Sequence, residues 1–237
     1  MSFLPAADLK KKFHTEGAFY QTELNGESFT CRGLAKISRK GIETDVTDAL
    51  FVMVNPGSCQ PVNEAYQYPY FTGNLQEAPL VPAKSDPTQY QIMRLMEREN
   101  WNIIYIINLS DLRAGNINDF KGYLKLFDAQ NNNTHSIFST ERIDEIATLL
   151  SKNTKIIAGW GTQPFMKKKM QHALSVFSEY GKVFGLPHKT SPYYYHPYPM
   201  IQHKCIKWLD DMCVQLEGAD RLERKEFKLK KENIQFT

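Results

Sequence analysis

Three short segments of the sequence could bring hydrogen-bonding side chains to a ligand: Val54–Gly57, Ile107–Leu109 and Tyr195–Pro197. The first two each carry an asparagine directly after an apolar run, and the third carries a histidine in a loop rich in proline. Amides can orient water or read the edge of a planar ring, and an imidazole can donate a proton or a hydrogen bond. What these groups can do together depends on whether the fold brings them to one place.

Each of the two asparagines has a structural and a functional interpretation. Taken alone, Asn55-Pro56-Gly57 is best explained as a turn, because these residue types are the commonest turn formers. The functional interpretation is that the Asn55 amide orients a water molecule while Gly57 lets a ligand approach the backbone. Asn108 either caps the next turn or reads the hydrogen-bonding edge of a base, since an unpartnered buried amide costs about 1–3 kcal/mol.

His196 lies in Tyr193–Pro199, a loop in which several prolines restrict the backbone and hold the imidazole in place. A lone histidine is usually structural. One in a rigid aromatic loop after the last strand is a better candidate for an acid or a hydrogen-bond donor. The neighbouring tyrosines could stack on bases or on sugars.

A basic run, Lys167, Lys168 and Lys169, follows the segment Gly159–Gly161 and falls in the first turns of a predicted helix. This placement suits contacts with phosphate at a helix N-terminus. A tight turn followed by a solvated helix face explains the same residues at least as well.

The elements that would position these groups alternate along the chain. Buried strands are predicted at Ala49–Val54, Trp101–Ile107, Lys155–Trp160 and Lys182–Gly185, and helices are predicted from Ser85-Asp86-Pro87-Thr88 onward and at Asp119–Phe127, Ser139–Lys152, Pro164–Tyr180 and Ile201–Gln215. This alternation indicates a parallel sheet with helices on both faces, which binds ligands at the carboxyl ends of its strands. Asn55, Asn108 and Gly161 all fall at such ends, so we expect them to converge.

The sequence indicates a single α/β domain. Residues 19–38 alternate apolar and polar around Asn25-Gly26, which predicts a β-hairpin packed on the edge of the main sheet. A long aromatic loop is expected at Ser58–Lys84. We therefore divide the domain into an N-terminal β extension (1–45), a core (46–216) and a basic C-terminal tail (217–237).

Composition sets loose limits on function. The net charge of +3 permits nucleic-acid binding without requiring it. The spacing of the cysteines matches neither a zinc finger nor an iron–sulfur motif, so we expect free thiols and no metal: Cys31, Cys59, Cys205 and Cys213. No apolar run is long enough to span a bilayer and no signal peptide is evident. We expect a soluble, cytoplasmic protein without a membrane partner.

Five segments, in chain order, carry a resemblance to known families: Val-Met-Val-Asn-Pro-Gly-Ser, Ser-Asp-Pro-Thr, Ile-Ile-Asn-Leu-Ser-Asp-Leu-Arg-Ala, Ala-Gly-Trp-Gly and a late Tyr-His-Pro. Over about residues 49–199 the chain resembles a bacterial and phage family catalogued as domain of unknown function 1643. More remotely it resembles the uracil-DNA glycosylase superfamily, whose mismatch-specific and single-strand-selective branches carry Asn-Pro-Gly in their first motif. The second resemblance implies a three-layer α/β/α fold around a central, mainly parallel sheet.

The resemblance to the glycosylase superfamily also implies roles for matching residues. Asn55, beside Pro56 and Gly57, would position the hydrolytic water, Asn108 would read the base, and His196 would stabilise the departing base. No metal or organic cofactor is implied. The remaining expected contacts are an aromatic ring on the base, from Tyr66 or Phe71, and DNA contacts from Lys167, Lys168, Lys169, Arg113 and Tyr198.

The sequence also departs from that superfamily. Tyr198-Pro199 replaces the usual Ser-Pro after His-Pro, and Tyr198 would have to substitute for the leucine wedge that fills the emptied base stack. The aspartate motif with which classical uracil glycosylases act on water is absent. The long Ser58–Lys84 segment predicts a pocket that need not be shaped for plain uracil.

We therefore expect a DNA glycosylase that acts as a monomer on an extruded, modified pyrimidine and leaves an abasic site. A family shared by bacteria and phages motivates excision of a hypermodified base from phage DNA as an antiviral defence. Two alternatives remain open: a non-catalytic nucleic-acid-binding module, and a hydrolase acting on free nucleotides or nucleosides.

Overall fold

A computed structural model describes residues 3–71, 78–150 and 154–234, with side chains as far as residue 219. In chain order its elements are α1 (Ala6–Lys12), β1 (Phe13–Leu24), β2 (Glu27–Arg39), β3 (Ala49–Met53), β4 (Gln60–Pro61), β5 (Leu80–Lys84), α2 (Pro87–Glu99), β6 (Ile103–Asn108), α3 (Ile117–Ala129), α4 (Glu145–Leu149), β7 (Lys155–Ala158), a 3-10 turn (Pro164–Met166), α5 (Lys167–Phe177), β8 (Val183–Phe184) and α6 (Gln202–Ile234). Parts of the predicted loop Ser58–Lys84 and of the predicted helix Ser139–Lys152 lie outside the described residues.

Within these ranges, eight strands form one mixed sheet in the order β4-β5-β1-β2-β6-β3-β7-β8. The buried strands β6, β3, β7 and β8 are parallel, as their apolar sequences predicted. The pairings that join β2 to β6 and link β1, β2, β4 and β5 are antiparallel. The expectation of a mainly parallel sheet was therefore wrong for the whole sheet, because the N-terminal strands and β5 extend it with antiparallel pairs.

The N-terminal hairpin is confirmed, but its position differs from the prediction. Asn25 and Gly26 both have positive φ, 53° and 79°, as a tight two-residue hairpin turn requires. The hairpin does not lie at the edge, because β2 pairs with β6 on one side and β1 pairs with β5 on the other. A bulge interrupts the hairpin where Ala18 pairs with Leu34 but Phe19 pairs with Arg32, which leaves Gly33 as the extra residue.

Helices pack on both faces of the sheet. On one face Leu50, Val52 and Ile107 contact α3 and α5, while on the other Phe51 and Ile106 contact α2 and α6. Successive side chains of each parallel strand point to opposite faces, and both faces are covered by helices, so the sequences of these strands are continuously apolar. Among the described residues, no helix combines the length and apolarity needed to cross a membrane.

Helix boundaries show where local sequence was sufficient. Asp86 caps α2 as predicted: its side chain accepts from the Gln89 backbone N–H while the Gln89 side chain accepts from the Asp86 N–H. The helix expected at Ser139–Lys152 is reduced to the five residues of α4, after a series of turns. The last helix runs past Gln215 to Ile234, so most of the predicted tail 217–237 is helical.

Candidate functional site

Two adjacent cavities lie where the parallel strands end. The larger has a volume of about 700 Å³ and the smaller about 110 Å³. Met53, Asn55 and His196 line both of them. The carboxyl end of β3 and the loop before α6 therefore meet at this edge of the sheet.

Aromatic and basic side chains line the larger cavity. Trp160 and Gly161 follow β7, Tyr195 and His188 come from the loop after β8, and α6 contributes a wall of its own: Lys204, Lys207, Trp208 and Asp211. The buried Trp208 Nε1 has no partner among the described residues. A volume of this size takes a nucleotide-sized ligand.

The smaller cavity is more polar at its walls. It is lined by Arg32 from β2, by Pro56 and Gly57, and by the first turn of α2 with Asp86. Gly57 has φ 62°, and a Cβ there would lie 3.7 Å from Asp86 Oδ2. The turn after β3 thus passes directly over the start of α2, which brings a carboxylate close to Asn55.

The Asn55 side chain is held in one orientation. Its Nδ2 donates to the Ala114 carbonyl oxygen at 3.3 Å. In the part of the chain that the structure describes, its Oδ1 accepts no hydrogen bond. The amide is therefore fixed with a free acceptor, as a group that orients water must be.

The His196 ring is also fixed. Its Nδ1 lies 3.1 Å from the Tyr198 backbone nitrogen and 3.2 Å from the Tyr198 carbonyl oxygen. It accepts from the N–H in the tautomer that carries the proton on Nε2, and it donates to the carbonyl in the other tautomer. Burial lowers the pKa of His196, while the hydrogen bond that the protonated ring can donate to the Tyr198 carbonyl oxygen and the charge of Asp86 offset part of that effect. The imidazole is consequently neutral at neutral pH, and in the tautomer whose Nδ1 accepts from the Tyr198 N–H it offers Nε2–H as a donor.

Close packing holds the His196 loop against β7. Trp160 Nε1 donates to the Pro192 carbonyl oxygen at 2.9 Å, and Gly161 pairs with Tyr194. A Cβ on Gly159 would lie 2.9 Å from Pro197 Cδ and 3.1 Å from Met53 Sδ. A glycine is needed at this position because no side chain fits between β7 and the loop.

Asn108 lies beside the site without lining either cavity. Its side chain is 0% exposed, and neither of its amide atoms has a partner among the described residues. Strand alternation places it on the same face as Ile106, which lines the smaller cavity. Contact between Asn108 and a base stays a prediction.

Sequence reasoning missed Asp86 and Arg32 as site residues. The capping role of Asp86 fully explained its presence, although Ser-Asp-Pro-Thr was one of the segments that carried the family resemblance. Arg32 had no such signal, because the bulge at Gly33 changes the face to which β2 side chains point.

Three predicted site residues lie elsewhere and line neither cavity. Tyr66 packs edge-on against Phe19 and Tyr68, and Phe71 packs on Tyr20 at 5.1 Å. Arg113 donates to the Cys59 carbonyl oxygen at 2.8 Å, and so holds the segment between β3 and β4. The structure therefore does not bring these residues together with Asn55.

The predicted DNA contacts divide into two places. Lys168 and Lys169 border a separate cavity of about 330 Å³ with His172, and Lys169 lies 3.1 Å from Asn133 Oδ1. Lys167 begins α5. Tyr198 supports His196 through its backbone. Their contacts with DNA stay predictions.

Fold and site together define a mixed α/β protein with a ligand-sized cavity at the carboxyl ends of its parallel strands. The family model described as "Protein of unknown function (DUF1643)" matches residues 80–198, and the chain belongs to this family. The matched segment includes Asp86, Asn108 and His196, whereas Arg32 and Asn55 precede it. No curated protein and no solved structure matches the chain significantly.

Proposed function

We propose that this protein is a DNA glycosylase that hydrolyses the N-glycosidic bond of an extruded base and leaves an abasic site. The observation that carries the proposal is that Asn55 and His196 line both cavities, with Asp86 beside them in the smaller one. Hydrolysis of such a bond needs an oriented water molecule, a group that stabilises the positive charge on the sugar, and a hydrogen-bond donor for the departing base. Between them, these three side chains can supply all three functions.

The water would be held between Asn55 and Asp86. The fixed amide of Asn55 leaves Oδ1 free to accept a hydrogen bond from water. Asp86 uses Oδ1 to cap α2, and its Oδ2 lies beside Gly57. The carboxylate would stabilise the oxocarbenium-like sugar and accept the proton that water loses.

His196 would stabilise the departing base as a neutral donor. In the tautomer whose Nδ1 accepts from the Tyr198 N–H, Nε2–H is available for an oxygen of the base that becomes negative as the C1′–N bond breaks. Burial, which lowers the pKa of this histidine, keeps the ring uncharged at neutral pH.

Met200 is better placed than Tyr198 to fill the space that an extruded base leaves. Its side chain is 80% exposed, and its φ of 68° is unfavourable for a residue with a Cβ. Strained backbone of this kind persists where function requires it. Ile201, which follows it in the chain, and Tyr195, from the loop before α6, are exposed as well, and with Met200 they would form an apolar surface against the flanking bases.

The fold supports the same proposal at the level of analogy. The parallel strands lie in the order β6-β3-β7-β8 between two helical layers, in keeping with the proposed relationship to the uracil-DNA glycosylase superfamily. As substrate we propose a modified pyrimidine of phage DNA, because about 700 Å³ exceeds what a plain pyrimidine needs. Antiviral defence would be the corresponding biological role.

The test is release of free base from DNA. Duplexes containing only the four standard bases, uracil, hydroxymethylcytosine or glucosylated hydroxymethylcytosine are incubated with the protein. Free base is then measured by mass spectrometry and abasic sites by alkaline strand cleavage. Release should occur on one of the modified substrates and fall about 100-fold or more in Asn55→Ala and His196→Ala.

Matched controls are Asn118→Ala and His14→Ala, whose side chains are exposed and line neither cavity. Both should keep the wild-type rate. The proposal is wrong if no substrate loses a base. It is also wrong if the protein binds DNA but leaves the DNA chemically unchanged, as a binding module would. A third contradicting result is activity on free nucleosides only, without the salt dependence that phosphate contacts impose.

A further inference from the structure

Arg32 is a buried cation without a counter-ion. Its side chain lines the smaller cavity and is only 2% exposed. Across the described residues no carboxylate lies within ion-pair distance of its guanidinium, and its Nε has no hydrogen-bond partner. Burying a charge without a partner is strongly unfavourable unless something else supplies the opposite charge.

A second buried arginine shows what a structural role looks like in this fold. Arg142 lies 2.7 Å from Asp111 Oδ2 and 3.1 Å from each oxygen of Glu145. Its charge is fully paired within the protein. Arg32 has no equivalent set of acceptors, so packing of the protein alone does not account for its charge.

The fold holds the Arg32 backbone firmly in place. The bulge at Gly33 turns the side chain to the cavity face of the sheet, and the Arg32 N–H donates to the Asp111 carbonyl oxygen at 2.9 Å. A bulge that redirects one side chain into a cavity is a feature often found beside binding sites. The charge is thus aimed at the space between β2 and α2.

Further features of the same place suit an acceptor-rich ligand. Asn108, on this face of the sheet, has an unpartnered buried amide. The first turn of α2, which carries the positive end of the helix dipole, lines the cavity through Thr88 and Gln89. Asp86, on the same cavity wall, acts in the opposite direction and lowers the affinity for an anion.

We infer that the smaller cavity is an anion subsite in which Arg32 binds a negatively charged oxygen of the ligand. The inference rests on the proposed function only in taking that oxygen to belong to a base whose ring occupies the larger cavity. Such a base would carry an acidic substituent. A free oxyanion such as phosphate offers the same chemistry and is the other source of the charge.

The experiment measures binding by calorimetry at pH 7.5, without any reaction. The probes are uracil-5-carboxylate, its neutral isostere uracil-5-carboxamide, and inorganic phosphate. The wild-type protein should bind the carboxylate at least tenfold more tightly than the carboxamide. Arg32→Met should abolish that preference, and Asp86→Asn should increase it, because the opposing charge is removed. Lys125→Met, at an exposed lysine of α3 that lines neither cavity, should leave the preference unchanged.

A phosphate titration that depends on Arg32, without a preference for the carboxylate, also supports the subsite but assigns it to a free oxyanion. Equal binding by the wild type and Arg32→Met, or no binding of either anion by the wild type, overturns the inference. Denaturant unfolding gives an independent readout, since Arg32→Met should resist urea better than the wild type, whereas loss of a structural arginine would weaken the fold. These experiments measure binding and stability and not base release. They therefore test the anion subsite even if the protein turns out to have no glycosylase activity.

Discussion

Asp86 and His196 line the same small cavity, where burial lowers the pKa of the imidazole and the nearby carboxylate offsets part of that effect. The two residues reach the cavity from the N-terminus of α2 and from the loop before α6. Asp86 serves two purposes there, because one oxygen caps the helix while the other lies beside Gly57. The two purposes can be separated by substitution.

Asp86→Asn should keep the fold and remove the activity. Asparagine caps a helix about as well as aspartate, so we expect the free energy of unfolding to change by less than about 0.5 kcal/mol. Base release should fall about 100-fold, because the neutral amide neither stabilises a cationic sugar nor accepts the proton of water. Single-turnover base release and urea unfolding measure the two effects.

The matched control is Asp45→Asn, at an exposed aspartate distant in sequence from the site. It should change neither quantity. Undiminished base release by Asp86→Asn would remove the carboxylate from the proposed chemistry.

The parallel half of the fold could be predicted because it is encoded locally. Each of the strands β3 and β6 is buried on both faces, so its sequence is a continuous apolar run, and the residue after the run marks the site. The antiparallel half could not be predicted in the same way, because which strand edges pair depends on contacts between distant segments. The length of α6 is consistent with its sequence, which is rich in the helix formers Leu, Glu and Lys.

The site divides along the same line. Asn55 and His196 could be singled out from the sequence, because Asn55 follows a buried strand and His196 lies within a proline-rich loop. Arg32 was not, because a single bulge residue, Gly33, decides which face of β2 it occupies. Tyr66 and Phe71 have rings that could stack on a base, but those rings pack against Phe19 and Tyr20 instead.

Arg142→Met should destabilise the protein by about 3–5 kcal/mol, because it leaves the carboxylate of Asp111 buried without its charge partner. Both side chains are 0% exposed, and Tyr20 donates to the same carboxylate oxygen at 2.9 Å. Combining Arg142→Met with Asp111→Leu should recover part of the loss, since no charge is then stranded. Urea unfolding at pH 7 measures both variants.

Lys11→Met serves as the surface control, because Lys11 forms an exposed ion pair with Asp8 at 3.1 Å. Its removal should cost less than about 1 kcal/mol. If Arg142→Met is no more harmful than Lys11→Met, the buried network contributes little to stability.

Acid should weaken the fold through His135. Burial, followed by the charge of Lys169, lowers the pKa of this histidine from 6.5 to about 3. The unfolded chain therefore binds a proton between these values that the folded protein does not, so stability is present above pH 6.5 and is lost as the pH falls toward 3. His135→Gln should be less sensitive to acid, and the difference should grow to a few kcal/mol by pH 4.

Unfolding by urea at pH 7.5, 5.5 and 4.5 measures this dependence, with His14→Gln as the exposed control. The control should follow the wild type at every pH. Parallel curves for the wild type and His135→Gln would show that the buried imidazole is not the group that takes up the proton.

Met200→Gly should make the protein more stable and less active on duplex DNA. The left-handed backbone at φ 68° costs a side-chain-bearing residue about 1 kcal/mol that glycine avoids, so the free energy of unfolding should rise by about that amount. The exposed side chain would be lost from the surface that faces the base stack, so base release from duplex should fall at least tenfold, while release from single-stranded DNA should change little. Met200→Leu, which keeps an apolar side chain of similar size, should retain most of the duplex activity. Equal rates for Met200→Gly and the wild type on duplex DNA would show that this strained, exposed residue does not assist extrusion of the base.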